Sequence, residues 1–355
     1  MKRFPFLDWM RGLAVLVMIQ CHTFNALPRA DERQSGVYVL SQFVGGMAAP
    51  LFLFMAGMTT AFQIESLARR ESSGWLRWRE ALRRAAYIML IALLFRFTNW
   101  LGSYPGGSVQ ELTRVDILNC MAVAMAAFAA TAAVAGESRL RFAALGATGI
   151  AMLSPLIANL PWDGAPPLLR EYLVPGMGRG HFPFFPFASF VGFGMAAGFA
   201  VKRAAEDGMD RLMQWAAVVG FALIFTNQYC SNLPYSIYPK SNFWTDSPTL
   251  VLIRTGVILA LLAGSYLWTE YGASPGWSWM QTLGKTSLMV YWVHVVIVYG
   301  GLTKYLRHTL NIPQTVVATA VLTLAMVGLA AAKLWWSARR AARPQRAAVA
   351  VEVEV

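Results

Sequence analysis

Apolar runs long enough to cross a bilayer recur from one end of this chain to the other, and that recurrence constrains the fold more than any other feature. A hydrocarbon core about 30 Å thick takes roughly 20 apolar residues in helical form, because each backbone polar group inside it must be satisfied within its own segment. About ten such stretches follow one another, approximately residues 7–27, 37–64, 81–101, 115–135, 140–160, 183–201, 212–230, 248–269, 281–301 and 313–336. Composition agrees: 57% of the 355 residues are hydrophobic and only 14% are charged, against about a quarter charged in soluble domains. The expected fold class is therefore an all-α integral membrane protein, a polytopic bundle of about ten transmembrane helices. Residues 1–336 are expected to form one transmembrane domain and residues 337–355 a short cytoplasmic tail.

The net charge of +12 would suggest nucleic acid in a soluble protein. Here the cations have a simpler home, because cytoplasmic loops of membrane proteins collect Lys and Arg, and no nucleic-acid partner is expected. Arg69, Arg70, Arg77, Arg79, Arg83 and Arg84 follow the second stretch, Arg139 and Arg141 the fourth, and Lys202, Arg203 and Arg211 the sixth. Arg339, Arg340, Arg343 and Arg346 lie in the tail. This bias puts both termini in the cytoplasm and the loops around 102–114, 159–182 and 231–247 outside. The first stretch contains Asp8, Arg11 and His22 and lacks a small-residue cleavage site, so it reads as a retained span. Cys21, Cys120 and Cys230 show no metal-ligand spacing, and no metal site is expected. Pro50 stands mid-way along the second stretch, after Gly45-Gly46, and is expected to kink it.

Polar residues inside the spans are the candidates for chemistry, because ionisable groups in a bilayer are costly and rarely face lipid. At about 100° per residue, Asp8, Arg11, His22 and Asn25 fall on one stripe of the first helix, with Arg11 and His22 separated by about 16 Å along the axis. Ser287, Tyr291 and His294 share a face of the ninth. Both helices run from inside to outside, so two of the four histidines reach similar depths in the outer half, which favours a shared site. His181, in the outer loop before the sixth span, could approach from above; His308 has no neighbour that suggests a role. Arg114 and Asp116 either anchor the fourth span or hold a polar acceptor such as a sugar.

These motifs resemble those of a known superfamily. Leu7-Asp8-Trp9-Met10-Arg11-Gly12-Leu13-Ala14 followed by His22, the stretch from Gly46 to Gly57, and the stretch from Gly284 to His294 are similar to the opening, second-span and late motifs of the transmembrane acyltransferases. The resemblance covers most of the chain, although the middle spans match in character only. It is nearest to the bacterial relatives of heparan-α-glucosaminide N-acetyltransferase. In the related acyltransferase-3 proteins an arginine, ten residues and a histidine mark the working face, and Arg11 and His22 have that spacing. The lysosomal enzyme's proposed active histidine lies further on, in its first luminal segment. The corresponding loop here has Arg29, Asp31, Glu32 and Arg33 but no histidine.

The resemblance implies transfer of an acyl group, in the first instance acetyl, from cytoplasmic acetyl-CoA to a sugar or glycan acceptor across a bacterial inner membrane. His22 and His294 are the implied catalytic residues and Arg11 binds the donor; Asp8, Asn25, Ser287, Tyr291 and His181 support them. A histidine titrates near neutral pH and suits the base that removes the acceptor proton. Tyr291 or Ser287 could donate to the oxyanion, and cations suit the CoA phosphates. Direct attack and an acyl-histidine intermediate are both open, as is a homodimer. The competing class is a proton-coupled transporter, which also uses intramembrane Arg and His; against it, the chain lacks paired interrupted helices in two matching halves.

Overall fold

A computed structural model describes residues 4–102, 108–134, 136, 138–174, 181–205, 208–272 and 276–353. Most of the described residues are helical, with no strand among them. Thirteen α-helices follow in order: α1 (Pro5–Ala26), α2 (Gly36–Gly45), α3 (Ala48–Ala68), α4 (Gly74–Gly102), α5 (Ile117–Phe128), α6 (Ser138–Ala158), α7 (Pro167–Leu173), α8 (Phe184–Ala204), α9 (Met209–Ser231), α10 (Pro248–Leu267), α11 (Trp279–Lys285), α12 (Ser287–Tyr299) and α13 (Ile312–Val353).

Each of the ten apolar stretches has a helical counterpart. Among the described residues, seven helices are long and apolar enough to cross a membrane, and eight if the bent pair α11–α12 makes one span. The two remaining stretches fall short for physical reasons. The segment α1 dilutes its apolar face with Asp8, Arg11, Gln20, His22 and Asn25, and Ile117–Ala133 is shorter than a span.

Two expectations about helix shape are corrected. The second stretch breaks at Gly46-Met47, not at Pro50, which lies in the first turn of α3 where its missing N–H costs no helical hydrogen bond. The ninth stretch is two helices bent by 88° at Thr286. Thr286 leaves the helical region (φ −118°, ψ 17°) and turns its hydroxyl to the Thr282 carbonyl, 3.0 Å away. At the other end of the chain, α13 runs on through Ser337 without interruption, so Arg339 and Arg340 extend the last span as helix and stack over Trp335 and Trp336.

The chain divides into two compact units. One contains α1, α2 and α11–α13. Here α1 and α11 meet through two glycines of the opening and late motifs. A Cβ on Gly12 would lie 1.9 Å from the Met280 carbonyl oxygen, and one on Gly284 would lie 1.8 Å from that of Asp8. Only hydrogen fits at either position, which is the small-residue packing that lets membrane helices approach closely. A bond of 2.7 Å joins the hydroxyls of Thr23 on α1 and Thr319 on α13. The chain leaving α1 is held to the chain entering α13 by backbone bonds from His308 to Ala26 and from Thr309 and Leu310 to Leu27. His308 also accepts from Arg33 at 2.7 Å.

The other unit holds α3–α10. Its helices α3 and α8 pack through Gly57 and Gly194, whose added Cβ atoms would each lie 2.0 Å from a carbonyl of the partner helix. Arginines brace one end of this unit. Arg139, nearly buried, pairs with Glu65 at 2.9 Å. Arg84 donates to the Thr59 hydroxyl and to Gln63, and Arg77 to the carbonyls of Ser72 and Ala132. Arg70, Arg79 and Arg83 are exposed.

Candidate functional site

His22 lies in the C-terminal part of α1 and His294 in α12, 272 positions later. Their unit brings the two rings together, with His22 Nδ1 2.8 Å from His294 Nε2. The ring planes are 10° apart and the centroids 5.0 Å. The second nitrogen of His294, Nδ1, is 2.7 Å from the Val290 carbonyl oxygen one turn back along α12. His294 is fully buried, whereas His22 keeps part of its surface open.

This geometry orders the protons. A carbonyl oxygen only accepts, so His294 Nδ1 carries a hydrogen and donates it to Val290. In a neutral imidazole the other nitrogen is then an acceptor, so His294 Nε2 takes a hydrogen bond from His22 Nδ1–H. His22 Nε2 is left with a lone pair, in a residue that is partly exposed as a whole. A proton arriving at Nε2 makes an imidazolium whose Nδ1–H is already bonded to His294, a charge-assisted contact stronger than the neutral one. The arrangement can therefore take a proton from a substrate at a defined atom and hold the resulting charge.

The other candidates divide. Tyr291 lies edge-on to His294, ring centroids 6.1 Å apart. Asn25 reaches Cys21 Sγ at 3.5 Å, and its backbone carbonyl accepts from Arg33 at 3.1 Å. Ser287 opens α12 at the bend, so it stands about 10 Å along the axis from His294 and is not brought to the pair. Arg11 forms an ion pair of 3.5 Å with buried Asp8, one turn back on α1. That pair lies about 16 Å along the helix from His22. His181 belongs to the α3–α10 unit, where its Nε2 contacts the Arg114 guanidinium.

Two participants escaped the sequence. Tyr299 packs its ring edge-on against His22, centroids 5.5 Å apart; it is off the face shared by Ser287, Tyr291 and His294, so periodicity does not select it. The Val290 carbonyl, a backbone atom, has no sequence signal at all. Among the described residues, no group of three or more His, Cys, Asp or Glu side chains is arranged to hold a metal ion.

Comparison with curated proteins finds no match. The comparison with family models does: the acyltransferase domain of the acyltransferase-3 type matches residues 4–334. The match spans both units and includes His22, His294 and Arg11. It does not set the chain nearer to the heparan-α-glucosaminide N-acetyltransferase relatives than to other branches. With nearly its whole length matched and its apolar helices suited to a multi-pass membrane protein, this chain belongs to the acyltransferase-3 family of membrane acyltransferases.

Proposed function

We propose that the protein transfers an acetyl group from cytoplasmic acetyl-CoA to a hydroxyl or amine of a sugar or glycan on the outer side of a bacterial inner membrane. Both termini then face the cytoplasm, as the loop charges suggest. The observation that carries this reading is the hydrogen-bonded chain from Val290 through His294 to His22, which leaves one nitrogen, His22 Nε2, with a free lone pair.

In the proposed reaction, His22 Nε2 removes the acceptor's proton as its oxygen or nitrogen attacks the thioester carbonyl. The tetrahedral intermediate collapses by breaking the carbon–sulfur bond, and the CoA thiolate leaves and takes up a proton. His294 keeps the His22 ring in the reactive tautomer and shares the positive charge. Arg11, held by Asp8, binds the donor near the inner face. Within the α3–α10 unit, Arg77, Arg84 and Arg139 are committed to structural contacts.

The test uses purified protein, labelled acetyl-CoA and a panel of amino sugars and glycans, with thioester loss and labelled product as readouts. Acceptor-dependent turnover that falls about 10²–10⁴-fold in His22→Ala, the usual worth of a positioned acid–base group, is the expected result. Full turnover in a well-folded His22→Ala protein would remove His22 from the reaction. Acid quenching followed by peptide mass spectrometry distinguishes direct attack from an acyl-histidine route, because only the latter leaves label on His22.

A further inference from the structure

The α3–α10 unit contains a second cluster of ionisable groups, which the acyl-transfer chemistry does not use. Arg96, on α4, is mostly buried, with its side chain 15% exposed. Its Nε lies 3.1 Å from Asp116 Oδ2, but the two are not aligned for a hydrogen bond. The other Asp116 oxygen is already spent, accepting from the backbone N–H groups of Leu118 and Asn119 at the start of α5. Among the described residues Arg96 Nε has no aligned hydrogen-bond acceptor, and Asp116 Oδ2 has no aligned donor. A guanidinium presents five donors in a fixed fork, more than the one Asp116 oxygen beside it can satisfy.

Two more donors converge on the cluster. Arg114 contacts His181 Nε2 and stands 3.5 Å from Glu111. An arginine only donates, so His181 Nε2 accepts and Nδ1 carries the hydrogen, making that edge of the ring a donor. Burial, followed by the nearby Arg114 and Arg96 guanidinium groups, holds His181 below its ordinary pKa, which agrees with a neutral ring in this tautomer. Asn119 Nδ2 donates to the Tyr172 hydroxyl at 3.2 Å, bringing that hydroxyl to the same group.

We infer that Arg96, Arg114 and His181 form a binding site for an oxyanion, a carboxylate or a phosphate carried by a ligand of this protein. Two carboxylates, Asp116 and Glu111, balance the two guanidinium groups. The attraction therefore comes from the Arg96 fork that Asp116 meets out of alignment, not from excess charge. The planar fork of Arg96 fits the paired oxygens of either anion. A purely structural ion pair would be expected to align Arg96 with Asp116 instead of leaving Nε without a bond. The inference assumes nothing about acyl transfer, and its test requires no acyl-CoA.

Purified full-length protein in a zwitterionic detergent would be titrated calorimetrically with glucuronate, with neutral glucose as the control, and in a separate arm with short-chain phosphatidylglycerol. Binding of glucuronate but not glucose assigns the site to a soluble acidic ligand. Binding of phosphatidylglycerol in preference assigns it to a lipid headgroup. In either case Arg96→Gln should weaken the interaction about tenfold or more, the usual effect of losing a charge-assisted hydrogen bond. Because Arg96→Gln leaves Asp116 buried without its cation, Arg96→Gln/Asp116→Asn and Arg114→Gln would be measured beside it, each checked for a monodisperse elution profile. No binding of either anion to the wild-type protein, or equal affinity in all three folded variants, would overturn the inference.

Discussion

Removing His294 separates a working histidine pair from a packing contact. In His294→Ala, His22 Nδ1–H loses its acceptor, and the proton is free to move to Nε2, the nitrogen that must stay basic. The lost contact is a hydrogen bond to a group that becomes charged in the reaction, worth about 1.5–3 kcal/mol. At 1.36 kcal/mol per tenfold, acyl transfer should fall about 10- to 150-fold, less than the loss from removing His22 itself. His294→Gln, which can present a side-chain oxygen toward His22 Nδ1, should recover part of that loss. The decisive measurement is the double variant, assayed by single-turnover transfer from labelled acetyl-CoA. If His294 acts only through His22, His22→Ala/His294→Ala should be no slower than His22→Ala alone, because residues acting as a unit are non-additive. Losses that multiply in the double variant, with unchanged melting temperature in detergent, would refute the hydrogen-bonded chain as the working arrangement.

Arg11→Ala should weaken acetyl-CoA binding while the protein still inserts, and Arg11→Lys should restore little of it where the contact is bidentate; unchanged donor affinity in a titration would remove Arg11 from the donor site. Gly284→Ala drives a methyl group into the Asp8 carbonyl and should cost about 1–3 kcal/mol or more, read as a lowered melting temperature. Gly328→Ala, where an added Cβ meets nothing within 4 Å, should leave melting unchanged, and equal melting of the two variants would contradict the packing described. Single cysteines at Ser73 and Asn242, introduced after exposed Cys230 is replaced by serine, should label from opposite sides of the membrane. Labelling of both from one side would overturn the proposed orientation.

By itself the sequence determined that this protein lives in a bilayer as a series of helices. That conclusion needs only local sums: an apolar run of sufficient length must be helical in hydrocarbon, wherever it stands in the chain. The same local reasoning singled out Arg11, His22 and His294, because a charged or imidazole side chain in such a run is expensive to keep. Shape and pairing are not local sums. A hydropathy average is blind to one non-helical residue, so the 88° bend at Thr286 and the break at Gly46-Met47 were invisible to it. Gly12 and Gly284 sat in recognisable motifs, yet their purpose appears only when the carbonyl each one meets is in place. The contact between His22 and His294 joins positions 272 apart, and the Val290 carbonyl that orders their protons belongs to a backbone atom every residue possesses. Only the tertiary structure could decide those, because a hydrogen bond depends on where two atoms end up and not on which residues carry them.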